Sequence, residues 1–148
     1  MIAYLDTSAL VKRYFHETGS EVVMRLWKEA GAIAVSQVGY AESMAAFYRK
    51  NREAAIPSHL FKRIKRTFAR DWESLIKITV TDDLNPIIYD LLNNHPLRGF
   101  DAIHLASALI IRETVQQELL FVCYDKNLST AAAATGLQTL PTDPAQLS

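Results

Sequence analysis

Ile2-Ala3-Tyr4-Leu5-Asp6-Thr7 is the stretch on which the reading of this chain turns. Ile2 to Leu5 is a short apolar run of the kind that forms a buried strand, and Asp6 follows it at once. Leu10, Val11, Tyr14 and Phe15 then recur at helical spacing. In open α/β sheets ligands bind outside the carboxyl ends of the strands. A carboxylate placed there either caps the next helix or holds a cation.

Working outward, the same unit returns. Leu119 to Tyr124 is the clearest strand in the chain and is followed directly by Asp125. Between the two, Thr18-Gly19-Ser20-Glu21 starts a helix carrying Val22, Val23, Leu26 and Trp27 that ends near Gly31. Ala32 to Val35 is a second short strand, and Ser36 is placed to cap the helix of Tyr40, Met44, Phe47 and Tyr48. Pro57 and Ser58 open a helix with Leu60, Phe61, Ile64, Phe68, Trp72 and Leu75 on one stripe. Ile76 to Val80 alternates as a third strand, and Asp82 and Asp83 are expected to cap the helix of Ile87, Ile88, Leu91 and Leu92. The loop His95 to Gly99 delivers Asp101 to an apolar helix, Ala102 to Ile111. Leu128 to Ala134 is a short helix, Gly136 stops it, Leu137 to Leu140 is an edge strand, and Pro141 and Pro144 mark a loose tail. Strands alternating with helices predict one α/β domain over 1–148 with a mainly parallel sheet.

A chain of 148 residues buries a core without disulfides. Sixteen Lys and Arg balance sixteen Asp and Glu, so any basic footprint for nucleic acid has to be local. The single cysteine, Cys123, lies in an apolar run and reads as a core residue in a reducing compartment. No signal peptide and no membrane span is visible, so a soluble cytoplasmic protein is expected.

Four carboxylates are directed by this layout toward one edge: Asp6, Glu42, Asp101 and Asp125. Asp6, Asp101 and Asp125 each suit a helix cap as well as a metal. Glu42 does not, because it lies deep in its helix on a stripe of Val38, Ala41, Ala45 and Ala46, with no Lys or Arg at pairing distance along that helix. An unpaired buried carboxylate costs several kcal/mol. A cation shared with the other acids accounts for it. Hard oxygen ligands without a His/Cys cluster fit Mg²⁺ or Mn²⁺, and the chemistry that follows is phosphodiester hydrolysis.

Leu5-Asp6-Thr7-Ser8-Ala9-Leu10-Val11-Lys12, Glu17 with Gly19-Ser20, Ala41-Glu42, Phe100-Asp101-Ala102-Ile103-His104-Leu105-Ala106, and Phe121 to Leu128 ending in Gly136 together resemble the PIN-domain nucleases, most closely the VapC-type toxins. The resemblance runs from residue 2 to about residue 140. It implies a Rossmann-like α/β/α sandwich, an Mg²⁺- or Mn²⁺-dependent endoribonuclease leaving a 5′-phosphate and a 3′-hydroxyl, a homodimer, and a small inhibiting antitoxin. It also implies that Asp6, Glu42, Asp101 and Asp125 form the acidic quartet and that the Ser8 hydroxyl supports it. Cys123 replaces a Thr that many relatives carry, and Asn127 a carboxylate that some carry; both bear on how Asp125 takes part.

His104, three residues after Asp101 on an apolar helix, reads as a packed, hydrogen-bonded histidine before it reads as a general base. Lys62, Arg66 and Arg70 line one face of their helix, with Arg63 and Lys65 nearby and Arg49, Lys50 and Arg52 on the helix before. That face is either simply solvated or a track for RNA phosphates. Trp27 and Trp72 lie on apolar stripes. A dehalogenase-type phosphatase needs an Asp where Ser8 stands, and a receiver domain needs paired acids early, so neither fits. The remaining alternative is a catalytically silent PIN-like module that binds RNA or a partner.

Overall fold

β1 (Ile2–Leu5) is buried along its whole length, as a strand covered by helices on both sides has to be. In the computed structural model, which describes residues 1–148, its side chains alternate between two cores: Ile2 and Tyr4 enter one, Ala3 and Leu5 the other. β2 (Ala32–Ser36), β3 (Ile76–Ile78), β4 (Leu119–Val122) and β5 (Gln138–Leu140) complete a five-stranded sheet in the order β3-β2-β1-β4-β5. Every pairing is parallel.

Helices α1 (Thr7–Leu10), α2 (Ser20–Glu29), α3 (Val38–Ala54) and α4 (Ser58–Ser74) cover the face of Ala3 and Leu5. Helices α5 (Asn85–Asn94), α6 (Gly99–Thr114) and α7 (Lys126–Ala134) cover the face of Ile2 and Tyr4. The result is a three-layer α/β/α sandwich. None of its helices is long and apolar enough to cross a membrane.

The chain runs outward from β1 to β2 and β3, then returns to place β4 on the other side of β1. The order reverses between β1 and β4, which is where such sheets open a crevice at their carboxyl ends. The Asp6 N–H donates to the Val122 carbonyl (3.1 Å), so the pairing of these two strands continues up to the first acid.

Local capping follows the residue types in part. The Ser36 hydroxyl accepts from the Val38 N–H (3.2 Å) and starts α3. Asp82 and Asp83 do not cap: they lie exposed within a single 3₁₀ turn, Asp82–Leu84, and neither carboxylate takes a backbone N–H there. Their charge still suits the first turns before α5. The third strand stops at Ile78, opposite Ser36, because β2 ends there and leaves Thr79 and Val80 nothing to pair with. α6 starts at Gly99, so Asp101 sits inside its first turn instead of at its cap. The tail returns to the body of the protein. The Ser148 N–H donates to the Tyr124 carbonyl, and the Lys126 N–H to the Ser148 carbonyl, each at 2.9 Å.

Candidate active site

The ends of β1 and β4 and the starts of α3 and α6 enclose a polar cavity of about 240 Å³. Asp6, Thr7, Ser8, Glu42, Arg98, Asp101, His104 and Asp125 line it, with Tyr124 and Ser148. All four acids singled out in the sequence thus meet in one place, although 119 positions separate Asp6 from Asp125.

Asp6 is the buried member, only 4% exposed. Its Oδ1 accepts from the Ser8 hydroxyl (2.7 Å) and the Ala9 N–H (3.0 Å), so it caps α1 and is held rigidly at once. Its Oδ2 takes no hydrogen bond from the chain. Burial pushes the Asp6 carboxyl up to about 6, against the opposing pull of His104 and of the two hydrogen bonds. The Ser8 oxygen also accepts from the Tyr124 N–H (2.9 Å). One hydroxyl therefore ties the acid after β1 to the backbone after β4.

Glu42 is not the unpaired carboxylate that its own helix suggests. Its Oε1 accepts from the Thr7 hydroxyl (2.7 Å) and lies 2.7 Å from His104 Nε2, while its side chain remains 28% exposed. Burial raises the Glu42 carboxyl, but the hydrogen bonds from His104 and Thr7 outweigh it and hold the group below its ordinary value. The expectation of an unpaired Glu42 is corrected here: its partners come from α1 and α6, and spacing within α3 has no access to them.

His104 is itself buried, 2% exposed, with Nδ1 3.0 Å from the Tyr4 hydroxyl. Burial pushes the Tyr4 hydroxyl well above its usual range, so it keeps its proton beside Nδ1. Nε2 faces the Glu42 carboxylate, an acceptor, and donates to it. Tyr4, Thr7 and His104 act together as the support of Glu42. The sequence signal for them was faint: Thr7 is the neighbour of Asp6, and His104 lies one turn after Asp101.

Arg98 was not among the residues singled out. Its Nε donates to Asp101 Oδ2 (3.1 Å), and its Nη2 stands 3.7 Å from Asp125 Oδ2. Asp125 caps α7 through Oδ1, which takes the Leu128 N–H (2.8 Å). The guanidinium, 80% exposed, lies as the counter-ion between two acids whose Oδ2 atoms face it.

As placed, no three His, Cys, Asp or Glu side chains converge into a metal site; Arg98 lies against Asp101 and Asp125, and His104 against Glu42. The donor set nonetheless fits a hard divalent ion. It is all oxygen, it includes a buried carboxylate with one unclaimed oxygen, and it already holds a cationic group at Asp101 and Asp125.

A family model described as PIN domain matches residues 3–134. The chain is 31% identical over 140 residues to Ribonuclease VapC45 of Mycobacterium tuberculosis, covering 95% of both chains. Among solved structures it is similar to a toxin–antitoxin complex from Klebsiella pneumoniae, with a TM-score of 0.61 at 20% identity over 86% of this chain and 90% of that one. It is also similar to Mycobacterium tuberculosis VapC20, described as a sarcin-ricin loop cleaving toxin, with a TM-score of 0.60 at 18% identity over 87% and 94%.

Proposed function

The chain belongs to the PIN-domain family, and from that premise we propose that it is a toxin endoribonuclease of the VapC type whose residues carry the reaction as follows. Asp6, Glu42, Asp101 and Asp125 hold Mg²⁺ or Mn²⁺, and Ser8 supports them. The observation that carries this reading is that acids from four separate elements line one cavity at the crevice between β1 and β4. A divalent ion bound among them supplies a more acidic water and positive charge against the phosphate.

The chain's own contributions follow from the geometry. Asp6 offers Oδ2 while Ser8 and Ala9 keep Oδ1 occupied, so the carboxylate cannot rotate away. Glu42 is fixed through Oε1 by Thr7 and His104, which leaves Oε2 to orient a water for in-line attack. Asp101 and Asp125 both turn their Oδ2 atoms toward the Arg98 guanidinium. The products are a 5′-phosphate and a 3′-hydroxyl. Cleavage of labelled RNA in Mg²⁺, abolished by EDTA and restored by Mn²⁺, tests the assignment; full activity in excess EDTA sinks it.

The partners proposed are a small antitoxin, a second copy of this chain and an RNA substrate, in the cytoplasm. Ile88, Phe100 and Ile103 form apolar surface next to Arg98, and Phe100 is 56% exposed. An antitoxin segment seated there covers the acids, which supports inhibition by occlusion. Sedimentation of the chain alone and with its antitoxin tests both assemblies.

A further inference from the structure

Residues 49–70, the end of α3, the turn and most of α4, carry eight of the sixteen Lys and Arg and only one of the sixteen Asp and Glu. This helical hairpin is therefore +7, and the rest of a chain with no net charge is −7. The structure divides these cations into two groups. Lys50 is bound to Glu17 (3.0 Å), and Lys65 to the Tyr48 hydroxyl (3.1 Å) with the Phe61 ring beneath it. Arg49, Arg52, Lys62, Arg63, Arg66 and Arg70 are exposed and have no acid or ring as partner. Unpaired like charges gathered on one hairpin repel one another and reward an anionic partner.

The hairpin is continuous with the candidate site. α3 carries Glu42 at the cavity and Arg49 two turns further along the same side, about 10 Å away. Only small side chains, the exposed Ala45 and the buried Ala46, occupy that stripe between them, and Ala41 is exposed beside it. α4 runs back against α3, with Tyr48 on Phe61 at the turn end and Tyr40 on Trp72 at the other. Arg49 and Arg52 on α3, and Lys62 and Arg66 on α4, are all exposed toward the turn end of this hairpin.

We propose that Arg49, Arg52, Lys62 and Arg66 form a phosphate track for single-stranded RNA, receiving the strand on one side of the scissile bond as it leaves the cavity past Ala45. The inference rests on the nuclease reading above and specifies how that site takes up its substrate. The track binds through the backbone and carries no sequence information of its own.

The test compares wild type with Arg49→Ala/Arg52→Ala/Arg66→Ala and with the same three positions changed to Lys. Binding of a labelled oligouridylate of about twenty nucleotides is measured in EDTA between about 50 and 200 mM salt. Cleavage of a tetranucleotide and of the long strand is measured in Mg²⁺. The Ala variant is expected to bind the long strand about tenfold or more weakly, with a log K against log salt slope shallower by about two, while tetranucleotide cleavage is unchanged. The Lys variant keeps the wild-type slope. Unchanged affinity and slope in the Ala variant overturn the track. So does an equal loss on the tetranucleotide, an equal loss in the Lys variant, or, in a parallel titration with polyglutamate, a loss confined to that polyanion, which assigns the face to an acidic protein. If wild type cuts the long strand while the Ala variant binds it normally, only the track falls; if wild type cuts neither substrate, the nuclease reading falls.

Discussion

His104 Nε2 lies 2.7 Å from Glu42 Oε1, a bond between residues 62 positions apart, and Tyr4 secures the other ring nitrogen at 3.0 Å. A histidine that reads as core filling from its apolar helix is thereby the fixed support of a surface-facing acid. Groups that orient a ligating carboxylate typically matter by about 10- to 100-fold. His104→Ala is expected to lower the cleavage rate by that factor while leaving the affinity for a long RNA in EDTA unchanged. Single-turnover kinetics beside an anisotropy titration checks it, and a wild-type rate would remove His104 from the mechanism.

Asp6→Asn is expected to abolish cleavage and to stabilise the metal-free fold at neutral pH. The folded pKa of about 6 lies above the ordinary 3.8, so folding favours the protonated acid. Stability is therefore greatest below about 4, falls as pH rises toward 6, and stays lower above it. The shift corresponds to about 3 kcal/mol at most, and Asn keeps an oxygen for the Ser8 and Ala9 donors. In EDTA, urea unfolding should show the variant more stable than wild type at pH 7.5 and equal to it near pH 4. A less stable variant at pH 7.5 contradicts the burial argument.

Arg98→Ala is expected to tighten binding of Mn²⁺, because it removes a cation that occupies Asp101 and Asp125. The gain is severalfold and not larger, since an exposed pair contributes only about 0 to 1 kcal/mol. Calorimetric titration of the RNA-free protein reads it directly. Weaker binding would mean that Arg98 positions the acids instead of competing for them.

Gly19→Ala is expected to cost on the order of 1 to 3 kcal/mol of stability. Gly19 has φ of +98°, and a Cβ there meets the Tyr124 ring at 2.6 Å. Ring movement relieves the contact but not the backbone strain. Chemical denaturation settles the size of the effect, and unchanged stability rules out strain at this turn.

Much of this was legible from particular residues. The apolar runs Ile2–Leu5 and Leu119–Val122 declare themselves as buried parallel strands because both faces are covered. The acids directly after them, Asp6 and Asp125, declare the carboxyl edge of the sheet. What was not legible depends on contacts between distant elements. Thr7 and His104 on Glu42, and Arg98 between Asp101 and Asp125, follow from where α1, α3 and α6 pack, which no spacing within one helix encodes. Asp82 and Asp83 show the converse: favoured capping residues that the 3₁₀ turn leaves without a cap to make.

The pairing of β1 with β4 has a consequence for when the acid pocket comes into being. Ser8 leaves the ribosome 116 residues ahead of Tyr124, whose N–H its hydroxyl accepts, and Asp6 likewise precedes the Val122 carbonyl that seats its own N–H. A growing polypeptide, or one cut short before β4, carries three of the four acids without the platform that gathers them. The pocket is therefore assembled only after β4 has been made, and no fragment that stops short of that strand holds the full set.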